Sequence, residues 1–179
     1  MPHVIETATT ARSKCRGCGE KIAAGELRFG EALPNPFGEG DTTHWFHPRC
    51  AALKRPEPLL ELLVGAAPPV PDRETLEVAA RAGVEHPRLQ RIDGAERAPT
   101  GRAACRHCRE PIAKDAWRIA LVFYEDARFS PAGFVHVRCA AAYFEAGPAG
   151  APGGVLDRVR HFARGLSAVD LGELERELG

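Results

Sequence analysis

The sequence predicts small α+β domains in tandem, each a short antiparallel sheet with flanking helices. Three observations carry this expectation. The six cysteines fall into two sets of one spacing, Cys15-x2-Cys18 with Cys50 and Cys105-x2-Cys108 with Cys139. Each third cysteine follows a histidine by three positions, in "HPRC" (His47) and "HVRC" (His136), after central gaps of 28 and 27 residues. The surroundings of the first pair, "SKCRGCGEKIAAGELRF", recur around the second as "AACRHCREPIAKDAWRI". Self-similarity at this long period means duplicated domains, not a solenoid.

The 179 residues suffice for one or two domains, and each half can bury only a small core. Such cores need a staple. Three thiolates and one imidazole suit tetrahedral zinc: the C-x2-C turn puts two sulfurs on one ion, and H-x2-C closes the site from a distant segment. Four protein ligands leave no open position, so two structural zinc ions are expected. A redox C-x2-C pair is the competing reading, and two matching H-x2-C partners argue against it. Disulfides are disfavoured because "MPHVIETATTARSK" lacks a secretory apolar core. His44 is a rival ligand and His107 lies inside the second C-x2-C, but neither has a counterpart in the other repeat.

The elements follow in order. "GELRFGEAL" and "DAWRIALVFY" alternate as half-buried strands. "PNPFGEGDTT" and "EDARFSPAG" read as loops, and "HWFH" and "GFVHV" as second strands carrying the histidine. "CAALK" and "CAAAYFEAG" read as short helices; longer ones are expected in "PLLELLVG", at residues 72–84, in "GGVLDRVRHFARGL" and in "SAVDLGELEREL". Asp72 with Thr75, and Ser167 with Asp170, mark helix starts. The stripes Leu156, Val159, Phe162 and Leu171, Leu174, Leu178 should pack onto the domain. "GAAPPVP" reads as a rigid connector and "HPRLQRIDGAERAPTG" as the interdomain linker, giving domains 1–96 and 97–179.

Net charge is zero, which excludes a global cationic field; any cationic surface is a local patch. No apolar run is long enough for a bilayer. A soluble intracellular protein is expected, and the Arg-heavy basic set (20 of 24) reads as a GC-rich, bacterial coding bias, hence a cytoplasmic, nucleoid location. There is no P-loop, no nucleophile beyond the ligands and no open metal position, so no catalysis is expected.

The repeat extends past the ligands. Arg12 and Arg102 stand three residues before the first cysteine, Arg28 and Arg118 ten after the second, and Trp45 and Phe134 two before the histidine. With these residues the two halves resemble the zinc fingers of the poly(ADP-ribose) polymerase family, found also in DNA ligase III and a plant DNA 3′-phosphoesterase. "TGRAACRHCREPIAKDAWRIALVF" is similar to the polymerase's first finger, and "RSKCRGCGEKIAAGELRF" with "HWFHPRC" to its second. The resemblance implies sequence-independent recognition of DNA strand breaks (nicks, gaps and ends) through phosphate contacts and base stacking, without the polymerase's catalytic domain. It places Arg12 and Arg102 on phosphate, and Arg28 and Arg118 near the break. Guanidinium forks suit phosphate oxygens. Lys14, Arg16 and Arg106 are further phosphate candidates. Phe37 and Phe129 are the stacking candidates, with Leu33, Pro36 and Pro131 behind them; counting back from His47 instead selects Gly38, Glu39 or Thr42. Trp45 and Phe134 read as packed beside the zinc, and Arg49 and Arg138 as covering thiolates or meeting phosphate. The expected partners are damaged double-stranded DNA, bound by a monomer with one finger on each side of a nick, and a downstream repair protein. The alternative is a zinc-stabilised protein-interaction adaptor without break preference.

Overall fold

The computed structural model describes residues 2–35, 38–65 and 69–179. The chain divides into two compact units, one built on the residues up to Val84 and one on Glu85–Glu125 with Phe129–Gly179. Each contains a three-stranded antiparallel sheet with helices. Among the described residues no helix is long and apolar enough to cross a membrane.

In the first unit β1 (Val4–Thr7), β2 (Leu27–Pro34) and β3 (Asp41–Phe46) form a sheet of order β1-β2-β3. Alternation sets its two faces: Ile5, Phe29 and Phe46 are buried, and Phe29 stands opposite Ile5 on one side and Phe46 on the other. Helices α1 (Pro48–Lys54) and α2 (Pro56–Val64) follow, each opened by a proline whose missing N–H costs nothing in a first turn. They bury Leu53, Leu59 and Leu63. Arg55, between them, reaches back to β2 and grips the buried Glu31 carboxylate through Nε at 2.9 Å. A charge so deep needs this partner. Helix α3 (Arg73–Glu85) buries Leu76, Ala79 and Ala80, and its Arg73 donates to the Leu63 carbonyl at the end of α2.

In the second unit a 3₁₀ turn (Pro87–Arg91) leads into β4 (Ile92–Arg97), β5 (Trp117–Glu125) and β6 (Arg128–His136), in order β4-β5-β6. A short 3₁₀ turn, Val137–Cys139, runs into α4 (Ala140–Phe144), followed by α5 (Val155–Phe162) and α6 (Ala168–Leu178). The stretch expected to link the domains is thus structured: it holds the 3₁₀ turn and β4, and a cut after residue 96 falls inside that strand. A first strand was missed in each half. "VIET" and "IDGAER" are too short and mixed to stand out, and pairing with the longer strand decides their form. The expected loops also shrink: β3 takes in residues 41–43, and β6 takes in all of "RFSPAG".

Helix α5 packs against β4 where the strand bulges between Ile92 and Gly94. Gly94 has φ +122°, and a Cβ there would stand 2.8 Å from the Phe162 carbonyl oxygen. Earlier in α5, the fully buried Arg158 donates through Nε to the Gly153 carbonyl at 2.7 Å. Helix α6 starts on a capping box: Ser167 accepts from the Asp170 N–H and Asp170 accepts from the Ser167 N–H. Of its stripe only Leu174 is buried.

Two backbone constraints give measurable outcomes. Gly94→Ala meets both a forbidden φ and the Phe162 carbonyl, and should destabilise the second unit by about 2 kcal/mol or more in thermal unfolding. The left-handed position after the C-x2-C turn is Gly19 (φ +79°) in the first half but Arg109 (φ +67°) in the second. Arg109→Gly should therefore stabilise, by about 0.5–1 kcal/mol, once relief of strain is set against the greater freedom of the unfolded chain.

Candidate metal centres and the surface around them

Each centre is made by two segments that local geometry aims at one point. The C-x2-C turn is closed by the Cys15 N–H on the Glu20 carbonyl and the Gly19 N–H on the Cys15 carbonyl, at 2.8 and 2.7 Å. The second turn repeats this with Cys105 on Glu110 and Arg109 on Cys105, at 2.9 and 3.0 Å. The turns are tied to the sheets by the Arg16 N–H on the Trp45 carbonyl (2.9 Å) and the Arg106 N–H on the Phe134 carbonyl (2.8 Å). Each histidine ends this stretch in extended conformation, and its cysteine lies in the helical turn that follows.

The ligand atoms of Cys15, Cys18, His47 and Cys50 all lie within 4.8 Å of one another, and so do those of Cys105, Cys108, His136 and Cys139. His44 and His107 belong to neither cluster. His44 is buried across from Glu31, its Nδ1 without a partner among the described residues, and burial lowers its pKa. Nδ1 is the histidine atom that faces the sulfurs, at 3.5 Å from Cys18 and 3.9 Å from Cys50, and at 3.4 Å from Cys108 and 4.0 Å from Cys139. A tetrahedron with Zn–S of about 2.3 Å and Zn–N of about 2.0 Å has S···N edges of about 3.5 Å, so the donor sets fit two zinc ions. The far nitrogen of His136 faces the Pro111 carbonyl at 3.3 Å, the outer contact that fixes a ligand ring.

Backbone N–H groups point at the sulfurs: His47 at Cys15 and His136 at Cys105, both at 3.3 Å. In the first site the Cys50 hydrogen bond pulls the Cys15 thiol down to about 7 and Cys18 to about 4, and pushes Cys50 up. In the second, burial opposes ionisation of Cys105, but the N–H groups of His136, Cys108 and His107 bring it to about 6; burial pushes Cys139 up to about 11. Zinc binding must expel the remaining proton, so zinc is held more weakly as pH falls.

The strand arginines are built in. Arg28 stands opposite Glu6 across β1–β2 and Arg118 opposite Glu96 across β4–β5. Arg28 Nε donates to Glu6 at 3.1 Å and Arg118 Nε to Glu96 at 3.0 Å, and Nη2 joins each pair. Each guanidinium lies on the aromatic ring two residues before the histidine, 3.7 Å from the Trp45 centroid and 3.5 Å from that of Phe134. Only 11% and 7% of these arginine side chains is exposed. Trp45 and Phe134 thus serve as platforms for arginine.

The remaining candidates divide. Arg12, Arg102, Lys14, Arg16 and Arg106 are exposed. The guanidinium groups of Arg12 and Arg102 have no ion pair or hydrogen bond among the described residues. Arg106 lies over Gly133 and donates to the Ala132 carbonyl at 2.7 Å. Arg138 pairs with Glu110 at 2.8 Å. Phe37, like Pro36, lies outside the described residues. Phe129 is on β6, half-buried, with its ring 4.8 Å from that of Tyr124. Leu33 and Thr42 are cross-strand partners, and Gly38 and Glu39 are exposed in the turn. Sequence reasoning missed Glu6 and Glu96, though both stand nine residues before the first cysteine and the repeat could have been read that far. It also missed Phe123, 38% exposed on β5.

Two closed Cys3His sites, each bracing a small sheet, define a protein built on structural zinc domains. Residues 6–64 match the profile of the poly(ADP-ribose) polymerase and DNA-ligase zinc-finger region. The second half repeats its ligand spacing. The chain is 28% identical over 143 residues to a poly(ADP-ribose) polymerase of Sarcophaga peregrina, which covers 70% of this chain and 14% of that protein. It is 27% identical over 165 residues to the polynucleotide 3′-phosphatase ZDP of Arabidopsis thaliana, 78% of this chain and 24% of that protein. A third relative, poly(ADP-ribose) polymerase 1 of Caenorhabditis elegans, is 37% identical over 54 residues, 30% of this chain and 6% of that protein. The chain therefore spans a quarter or less of the length of each.

The purified chain should carry two zinc ions. Cys50→Ala and Cys139→Ala should each reduce this to one, by metal analysis. The loss should be domain-specific, because the two tryptophans, Trp45 and Trp117, report on one unit each: in single-Trp backgrounds, Cys50→Ala should red-shift only Trp45 emission and Cys139→Ala only that of Trp117.

Proposed function

We propose that this protein binds DNA strand breaks without catalysis, gripping phosphates with both fingers and covering the exposed base pair with an apolar side chain. One observation carries the proposal. Arg12 and Arg102 occupy equivalent places beside the two zinc turns, exposed and with their guanidinium groups unpaired among the described residues. The names of the relatives point the same way, since polynucleotide ends are the substrate named for the plant phosphatase. Arg16 and Lys14 beside Arg12, and Arg106 beside Arg102, extend each cationic edge. Net neutrality fits a binder whose positive charge is local. Four protein ligands at each zinc leave no position for a substrate, in keeping with binding as the whole activity.

For stacking, Phe123 is the one exposed aromatic of the large exposed apolar residues among those described. Phe129, engaged with Tyr124, is the less accessible ring.

Fluorescence anisotropy with one duplex, intact or centrally nicked, tests the reading. The nicked form should bind at least about tenfold more tightly. Arg12→Ala and Arg102→Ala should each weaken it by about tenfold, the scale of one charge-assisted contact. Affinity should fall with salt at a logarithmic slope of about −0.9 per phosphate contacted. Phe123→Ala should reduce the preference for the nick and leave binding to intact duplex unchanged. Equal, weak binding to both duplexes would refute break recognition and favour the adaptor.

A further inference from the structure

We infer that the two fingers are unequal toward phosphate: Arg118 offers an open guanidinium edge to an anion, and Ser13 closes the matching edge of Arg28. The inference deepens the DNA-break reading and rests on it for the source of the phosphate.

The two arginines are held alike on three sides. A glutamate on the neighbouring strand takes Nε and Nη2, and an aromatic ring covers one face. They differ at the third nitrogen. Nη1 of Arg28 donates to the Ser13 hydroxyl at 2.7 Å. The position equivalent to Ser13 is Ala103, which has no hydroxyl. Nη1 of Arg118 has no partner among the described residues, yet it is not a sealed-off atom. The small exposed fraction of Arg118 therefore includes an unused, cationic N–H donor group.

An anion meets different situations at the two places. At Arg118 a phosphate oxygen can accept from Nη1 while Glu96 keeps Nε and Nη2, so the pre-set guanidinium loses no existing bond. The Phe134 ring and Glu96 have already fixed its plane, so little side-chain freedom remains to be lost. At Arg28 the same oxygen must compete with a short hydrogen bond from a charged donor, the stronger kind. One hydroxyl, on the residue after Arg12, sets the difference. Ser13 and Ala103 are thus specificity-determining positions, and the second finger makes the closer phosphate grip.

The test uses the zinc-loaded full chain, labelled with nitrogen-15, and follows the guanidinium resonances of Arg28 and Arg118. Inorganic phosphate is added first, and a nicked duplex in a separate titration. Arg118 should shift saturably with phosphate and Arg28 should not. Ser13→Ala should bring Arg28 into the titration and tighten nicked-duplex binding by about three- to tenfold. Ala103→Ser should silence Arg118 and weaken binding by a similar factor. Each variant changes a single hydroxyl, and retained zinc confirms the fold; Ser13→Ala alone decides if Ala103→Ser fails to fold. Equal response of both arginines, or response of neither, overturns the inference. So does weaker duplex binding by Ser13→Ala, which would make the hydroxyl itself a DNA contact. A selective Arg118 response to phosphate in a protein indifferent to nicks would uphold the asymmetry and reject the break reading.

Discussion

Three sulfurs and one imidazole nitrogen within 4.8 Å of one another force two segments some thirty residues apart to share a point. Everything between them must fold to permit it. The chain leaves the C-x2-C turn, runs out along one strand, reverses and returns along the next, so that the histidine ends the return strand and the last cysteine enters the helical turn beyond. The sheet brings the two ligand segments together, and zinc binding stabilises a domain whose apolar core is small. Burial of Ile22 in one unit and Ile112 in the other, both fully enclosed, shows the same packing under both turns.

Against this brace the proteins' cations take two kinds of place. Arg12 and Arg102 stand in water. Arg28 and Arg118 are part of the sheet, each linking the edge strand through glutamate and the return strand through an aromatic ring. A single residue type at repeated spacing therefore stands exposed in one case and is built into the sheet in the other. Repetition in the sequence does not separate the two; only burial and the neighbouring carboxylates do.

The ligands, the duplicated sheet and most helices were legible because covalent spacing and periodicity announce them. The capping pair Ser167–Asp170 was legible for the same reason: the hydrogen bonds are local. Edge strands β1 and β4 were not, since their conformation comes from partners about twenty residues on. The loop expected around Phe129 is instead strand, because the sequence shows a Pro/Gly-rich run, "FSPAG", where cross-strand pairing extends β6 to Arg128. The significance of Ser13 was out of reach altogether: a serine before a lysine says nothing until its hydroxyl is seen on Arg28.

Helix α6 is fastened unlike the rest of its unit. It fully buries one side chain, Leu174, and is also held by charge: Glu173 meets Arg97 and the Trp117 indole N–H (3.1 Å), and Glu175 meets Arg160. Exposed ion pairs weaken as salt rises, whereas closed thiolate sites do not. Helix α6 therefore forms a layer that added salt can loosen while the zinc-braced sheet stays folded. Ionic strength then acts on the outer helix before the zinc-braced core, and Trp117, seated under Arg97, is the built-in gauge of that loosening.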